Sequence, residues 1–220
     1  MHETIKNLLK ITQNVKSKLS TDNNMNKYPK IIAVSKTFSI DRIKPLIDYG
    51  HIHYGENKVQ EANEKWGLIK QNNKNLKLHL IGRLQTNKVK IAVKLFDYIH
   101  SLDSEKLADK IYTQQKEQDK KIKLFIQVNM GEEDQKSGIK KSEVVDFYNY
   151  CKNKDLNILG LMCIPPFDED SSKFFKEMKK LNDDLNLKEL SMGMSSDYLT
   201  ALENSSTYIR IGSSIFGKRV

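Results

Sequence analysis

Lys36 ends the run "IIAVSK" (31–36), where four apolar residues and a serine lead into a lysine. A lysine rooted in a buried strand is stripped of water, which disfavours its ammonium form and lowers its pKa. A neutral amine at neutral pH can attack an aldehyde and form a Schiff base. A lysine snorkelling from a strand end to water is the plain alternative. Toward the other end of the chain, "IGSS" (211–214) is a glycine-bearing turn after an apolar run, and "MGMSS" (192–196) supplies Gly193, Ser195 and Ser196 nearby. Backbone N–H groups and serine hydroxyls in such turns can cradle a phosphate. Arg210 sits inside "YIRIG" (208–212), so its charge must point into a polar interior or pair with something. A phosphate, a carboxylate such as Asp197 or Glu203, or a heterocycle nitrogen would each serve.

Those residues need elements to place them. Short apolar runs recur at 30–35, 51–54, 77–82, 97–101, 122–128, 157–162, 189–192 and 207–211, and they predict eight strands. Helical patterns fill most gaps: 40–49, 57–70, 87–95, 103–118 with Asp103 or Ser104 as the cap, 140–151, 171–185 and 197–204. Strand–helix alternation means parallel pairing with right-handed crossovers. Eight such units in 220 residues predict a single α/β domain over 1–220, a (β/α)8 TIM barrel, ahead of a doubly wound open sheet. An extra helix over 3–19 precedes the first strand and is expected to close the outer ring of helices. In a barrel the chemistry sits where strands end. The unusual residues fall there: Lys36, "GEN" (55–57), "IGRLQTNK" (81–88), "VNMGEEDQKSG" (128–138), "MGMSSD" and "RIGSSIFG" (210–217).

Composition narrows the rest. No segment approaches eighteen consecutive apolar residues, and the amphipathic N-terminus lacks a signal peptide's apolar block, so a cytoplasmic protein without a membrane span is expected. Cys151 and Cys163 have no metal-like spacing and read as free thiols; no metal site is expected. The net charge of +9 invites a nucleic-acid reading, but 33 of the 37 basic residues are lysines spread along the chain. Arginine supplies the fork that reads bases and phosphates, so no specific nucleic-acid partner is expected.

An aldehyde-seeking lysine and a phosphate cradle at one barrel mouth suggest pyridoxal 5′-phosphate (PLP). The sequence resembles the pyridoxal phosphate homeostasis family (the YggS/PROSC-type proteins), whose barrel is shared with the N-terminal domain of alanine racemase. The resemblance runs over nearly the whole chain, through "AVSKT" (33–37), "GENKVQE" (55–61), "HLIGRLQTNK" (79–88), "SLDS" (101–104), "VNMGEEDQKSG", "LGLMCIPP" (159–166), "LSMGMSSD" (190–197) and "RIGSSIFG". It implies that Lys36 forms the Schiff base with PLP and that Arg210 faces the pyridine nitrogen. It implies that Ser195, Gly212 and Ser213 contact phosphate and that Asn57 lines the pocket. Ser213 stands where threonine is common, and Ser205-Ser206 where a glycine-containing turn is common.

The resemblance also implies a role. An arginine opposite the ring nitrogen leaves that nitrogen largely unprotonated, a poorer electron sink than one paired with an acid. Racemase relatives take a second base from a further C-terminal domain, and this sequence ends just after the eighth loop. The expected function is therefore intracellular PLP (vitamin B6) homeostasis, with no catalytic residues, PLP-dependent apoenzymes as partners, and a monomer ahead of a dimer. The alternative is a low-activity amino-acid racemase whose second base would be a mouth residue such as His79 or Tyr54; barrel packing is the plain reading of both. Lys136-Ser137-Gly138 could assist ligand exchange at the mouth.

Overall fold

The computed structural model describes residues 1–21, 28–133 and 135–217. Eight parallel strands form a closed barrel in chain order: β1 (Lys30–Val34), β2 (His53–Glu56), β3 (Lys77–Leu80), β4 (Tyr98–Leu102), β5 (Lys123–Val128), β6 (Ile158–Cys163), β7 (Glu189–Met194) and β8 (Tyr208–Ile211). Closure is made by β1 on β8, with Ile32 opposite Arg210. Helices α1 (Glu3–Thr21), α2 (Ile40–Asp48), α3 (Val59–Asn72), α4 (Val89–Leu95), α5 (Glu105–Glu117), α6 (Val144–Asn153), α7 (Ser171–Asp184), α8 (Tyr198–Glu203) and α9 (Ser213–Phe216) surround it. This is the expected (β/α)8 barrel with an added N-terminal helix.

Strand alternation builds two cores. Successive side chains point to opposite faces, so Ile32, Val34, Tyr98, Phe125, Met162 and Tyr208 pack inside the barrel. Their neighbours, such as Ile31, Leu78, Ile99, Leu124, Ile126 and Leu161, face outward into the apolar sides of the helices. Burial on both faces is why the strands read as continuous apolar runs. The helix α1 buries Leu8, Ile11 and Val15 and packs against α2, α8 and α9. It closes the ring as expected, because α9 is a single short turn. Arg42 ties these pieces together: Nη2 donates to Glu3 at 2.9 Å and to the Phe216 carbonyl at 3.1 Å.

The boundaries differ from expectation in places with a physical reason. The second strand is His53–Glu56 rather than 51–54. Gly55 faces the interior, where a side chain would meet Ile32 Cγ2 at 2.9 Å. Glu56 faces out, fully buried but bonded by Ser35, Lys65 and Trp66. A run of "GEN" looks like a loop only until those partners are known. The cap of α5 is Ser104, whose Oγ accepts from Leu107 N. Ser205 takes a left-handed φ of 63°, so this serine carries a strain that a glycine would not. Among the described residues, no helix is long and apolar enough to cross a membrane, and both cysteines are free and buried.

Candidate functional site

A cavity of about 840 Å³ opens at the C-terminal ends of the strands. Lys36, Asn57, Ser195, Arg210, Gly212 and Ser213 all line it, brought there from four different strand ends. The sequence separation between Lys36 and Arg210 vanishes because β1 and β8 are neighbours.

Lys36 is half-buried and lies in a turn two residues past β1. The backbone here is held tightly. The next residue, Thr37, has a left-handed φ of 70°, unusual for a β-branched residue. Its N–H donates to Glu61 Oε1 at 2.8 Å. On the other side, Lys65 Nζ donates to the Ser35 carbonyl at 3.0 Å.

Arg210 is buried, 4% exposed, and points into the barrel. Its Nη1 donates to Ser191 Oγ and its Nη2 to the Cys163 carbonyl, both at 2.8 Å. Among the described residues it has no carboxylate at ion-pair distance: Asp197 instead accepts from Met194 N at 2.6 Å, and Glu203 pairs with Lys18. Burial pulls the Arg210 pKa below its ordinary value, opposed by the nearby Cys163 and Asp197; an arginine starts so high that the group stays charged.

Beneath Arg210 runs a column that no local motif announced. Ser191 Oγ is joined to His100 Nδ1 at 2.8 Å, His100 Nε2 to His79 Nδ1 at 2.9 Å, and His79 Nε2 to His53 Nδ1 at 2.9 Å. His79 stacks on Tyr98 and His100 on Phe125. Burial lowers all three imidazole pKa values, with neighbouring cations adding to it, so the column is neutral at pH 7. The signal in the sequence was histidine recurring in three successive apolar runs, "HIHY", "KLHLIG" and "DYIHS". Neither His79 nor Tyr54 lines the cavity. His79 lies within the column, and Tyr54 faces outward against Trp66, with ring centroids 4.9 Å apart.

The adjoining wall is made by the last two loops. Ser195 Oγ lies 3.4 Å from the Gly212 nitrogen, which donates to it, so the two serine-bearing turns meet. The N–H groups of Ser213 and Ser214 open α9 and have no intrahelical acceptor. Gly193 lets the end of β7 pass close to α8: it sits at φ 89°, and a Cβ there would lie 2.6 Å from Ala201 Cβ. Asn57 is set by a close backbone approach, since a Cβ on Gly82 would fall 2.4 Å from the Asn57 carbonyl oxygen. Gln127 and Asn129 hold the rim loop by donating to the carbonyls of Ser137 and Glu133, at 3.0 and 2.9 Å. Lys136 pairs with Glu133 at 2.6 Å; Asp134 of the same loop lies outside the described residues.

The family described as "Alanine racemase, N-terminal domain" matches residues 7–220. The pyridoxal phosphate homeostasis protein of Pasteurella multocida is 36% identical over 97% of this chain and 96% of its own length. Its human counterpart is 37% identical over 87% of this chain and 77% of its own. The chain belongs to the pyridoxal phosphate homeostasis protein family. Among solved structures, PipY of Synechococcus elongatus with PLP bound covers 92% of this chain at a TM-score of 0.77 and 31% identity, over all of its own length. An alanine racemase from Clostridium difficile matches 94% of this chain and 57% of its own at a TM-score of 0.69. At 17% identity that likeness is one of fold alone. The six residues that the sequence motifs singled out all line one cavity, whereas the histidine column and the bonds from Glu61 and Lys65 to the Lys36 turn had no motif to mark them.

Proposed function

We propose that this chain binds PLP at the barrel mouth through Lys36 and serves intracellular PLP homeostasis, holding the cofactor and releasing it to PLP-dependent apoenzymes. Residues 1–220 act as one binding unit in this reading, in the cytoplasm. The observation that carries it is the pairing, on one cavity, of a half-buried lysine with a buried arginine that has no carboxylate at ion-pair distance among the described residues. PLP supplies an aldehyde that condenses with a lysine amine, a phosphate, and a ring nitrogen that can accept a hydrogen bond. The donor set fits those three groups. Lys36 presents its amine. Ser195, Gly212 and Ser213 present hydroxyl and backbone donors to an anion. Arg210 has N–H groups beyond the two spent on Ser191 and Cys163, and as a lasting cation it donates to a ring nitrogen rather than protonating it. Asn57 adds a polar side chain to the wall.

What supports holding over catalysis is the character of that wall. Among the described residues lining the cavity there is no tyrosine, histidine or carboxylate, and Lys136 is ion-paired to Glu133. Racemisation needs a second proton carrier on the face opposite the first. The test loads the purified protein with PLP, then mixes it with a PLP-dependent enzyme stripped of cofactor and, separately, with L-alanine. Recovery of the acceptor's activity without loss of optical rotation is expected. Turnover of L-alanine to the racemate would overturn the reading.

A further inference from the structure

We infer that Glu61, assisted by Lys65, is a positioning residue for Lys36: the pair clamps both peptide planes that flank the lysine and so aims its amine into the cavity. This rests on the proposed PLP site. The argument begins with geometry. The direction in which Lys36 leaves the backbone is set by its φ and ψ, and each is fixed by one adjoining peptide plane. The plane between Lys36 and Thr37 carries the Thr37 N–H, which donates to Glu61 Oε1 at 2.8 Å. The plane between Ser35 and Lys36 carries the Ser35 carbonyl, which accepts from Lys65 Nζ at 3.0 Å and from Phe38 N at 3.2 Å.

Both clamps come from one helix. Glu61 and Lys65 are four residues apart on α3, and Lys65 Nζ lies 3.3 Å from Glu61 Oε1. Lys65 is anchored in turn: its side chain is 11% exposed, and Nζ donates to Glu56 Oε1 at 3.1 Å. Glu56 is fully buried, and the same oxygen accepts from Ser35 Oγ at 2.7 Å and Trp66 Nε1 at 2.9 Å. The carboxylate therefore serves as a fixed post behind the turn.

The clamp has work to oppose. A left-handed conformation costs a non-glycine residue about 1–2 kcal/mol, and Thr37 adopts it at φ 70°. Such strain persists only where the surroundings over-determine it. Without an acceptor for its N–H, Thr37 relaxes toward the right-handed basin and rotates the plane that defines ψ of Lys36. An i,i+4 Glu–Lys pair on a helix ordinarily reads as a solvated surface pair worth a few tenths of a kcal/mol; here each partner spends a bond on the turn across from it.

The test compares wild type, Glu61→Ala and Glu61→Gln by two readouts. The first, on cofactor-free protein, is amide hydrogen exchange of the 35–38 segment. The second is the rate at which added PLP becomes bound to Lys36, read as growth of a visible absorption band. Glu61→Ala is expected to speed Thr37 exchange and slow PLP capture, each about tenfold, the scale of one lost charge-assisted hydrogen bond. Glu61→Gln keeps an acceptor oxygen and is expected to restore both, which a general loss of folding would not allow. Wild-type exchange in Glu61→Ala, wild-type capture in it, or failure of Glu61→Gln to restore either would overturn the inference. Absence of any PLP capture by wild type would instead sink the functional reading, while the exchange arm still decides whether the clamp exists.

Discussion

At the floor of the barrel, Lys30 donates to the Tyr208 hydroxyl at 2.8 Å and Lys123 to that of Tyr98 at 3.3 Å. Lys30 also lies over the Tyr208 ring, 4.3 Å from its centroid. At the mouth, Lys36 faces a cavity of about 840 Å³, with a buried arginine on the same wall. The residue type is the same at both ends, and the strand patterns around Lys30 and Lys36 are parts of one apolar run. The floor lysines close the barrel against aromatic side chains, where an ammonium gains hydrogen bonds and a cation–π contact. The mouth lysine sits in a turn whose flanking peptide planes are hydrogen-bonded by Glu61 and Lys65, and it lines the cavity. On the proposed reading, reactivity at the mouth comes from what surrounds a lysine rather than from its position in a strand.

The largest expected effect separates the two ends outright. Lys36→Ala should abolish the visible band that PLP raises in the wild type, whereas Lys30→Met should keep the band and lose about 1 kcal/mol of stability with its hydrogen bond. A band lost equally in both variants would erase the contrast between floor and mouth.

Arg210→Met sharpens the link between the two. It leaves the Cys163 carbonyl without its 2.8 Å donor in a buried site, at a cost of about 2 kcal/mol in chemical denaturation. It also removes the cation from the cavity wall, so PLP affinity in an absorbance titration should fall by about tenfold or more, on the scale of a hydrogen bond to a charged group. Unchanged affinity would mean that Arg210 serves the column below and not the cavity above.

A further effect is graded with pH and belongs to the lower half of the barrel. Burial lowers His51 and His53 to about 4 from 6.5, with His51 and nearby lysines adding to the shift at His53. Above pH 6.5 both are neutral folded or unfolded, and they contribute no pH dependence. As pH falls from 6.5 toward 4 the unfolded chain takes up protons that the folded chain refuses. Stability should therefore drop with acid in that window, by about 1.4 kcal/mol per pH unit for each histidine at most. Urea midpoints between pH 7 and 4 measure it, and His53→Asn should give a shallower decline. A flat wild-type profile would mean that the column is solvated.

The barrel was legible because eight parallel strands buried on both faces leave a simple trace, apolar runs spaced by helical patterns. The mouth residues were legible because Lys36 and Arg210 are charges inside such runs, and charge there demands a partner. The histidine column was not, because His53, His79 and His100 meet only after neighbouring strands align, and each alone reads as packing. The clamp was hidden for a different reason. Glu61 and Lys65 form the i,i+4 pair that any exposed helix displays, and only the α3 packing turns their side chains toward Ser35 and Thr37. Glu56 misled the strand boundary in the same way, since a buried carboxylate cannot be distinguished from a loop carboxylate until its three donors are in place.

The central claim is that Lys36 is the residue that takes the cofactor. Borohydride reduction of PLP-loaded wild type, followed by peptide mapping, tests it most directly. The account predicts the pyridoxyl mass on the peptide carrying Lys36, with Lys30, Lys65 and Lys136 unlabelled. A label on Lys136 or another lysine in place of Lys36, or no label at all, would contradict it.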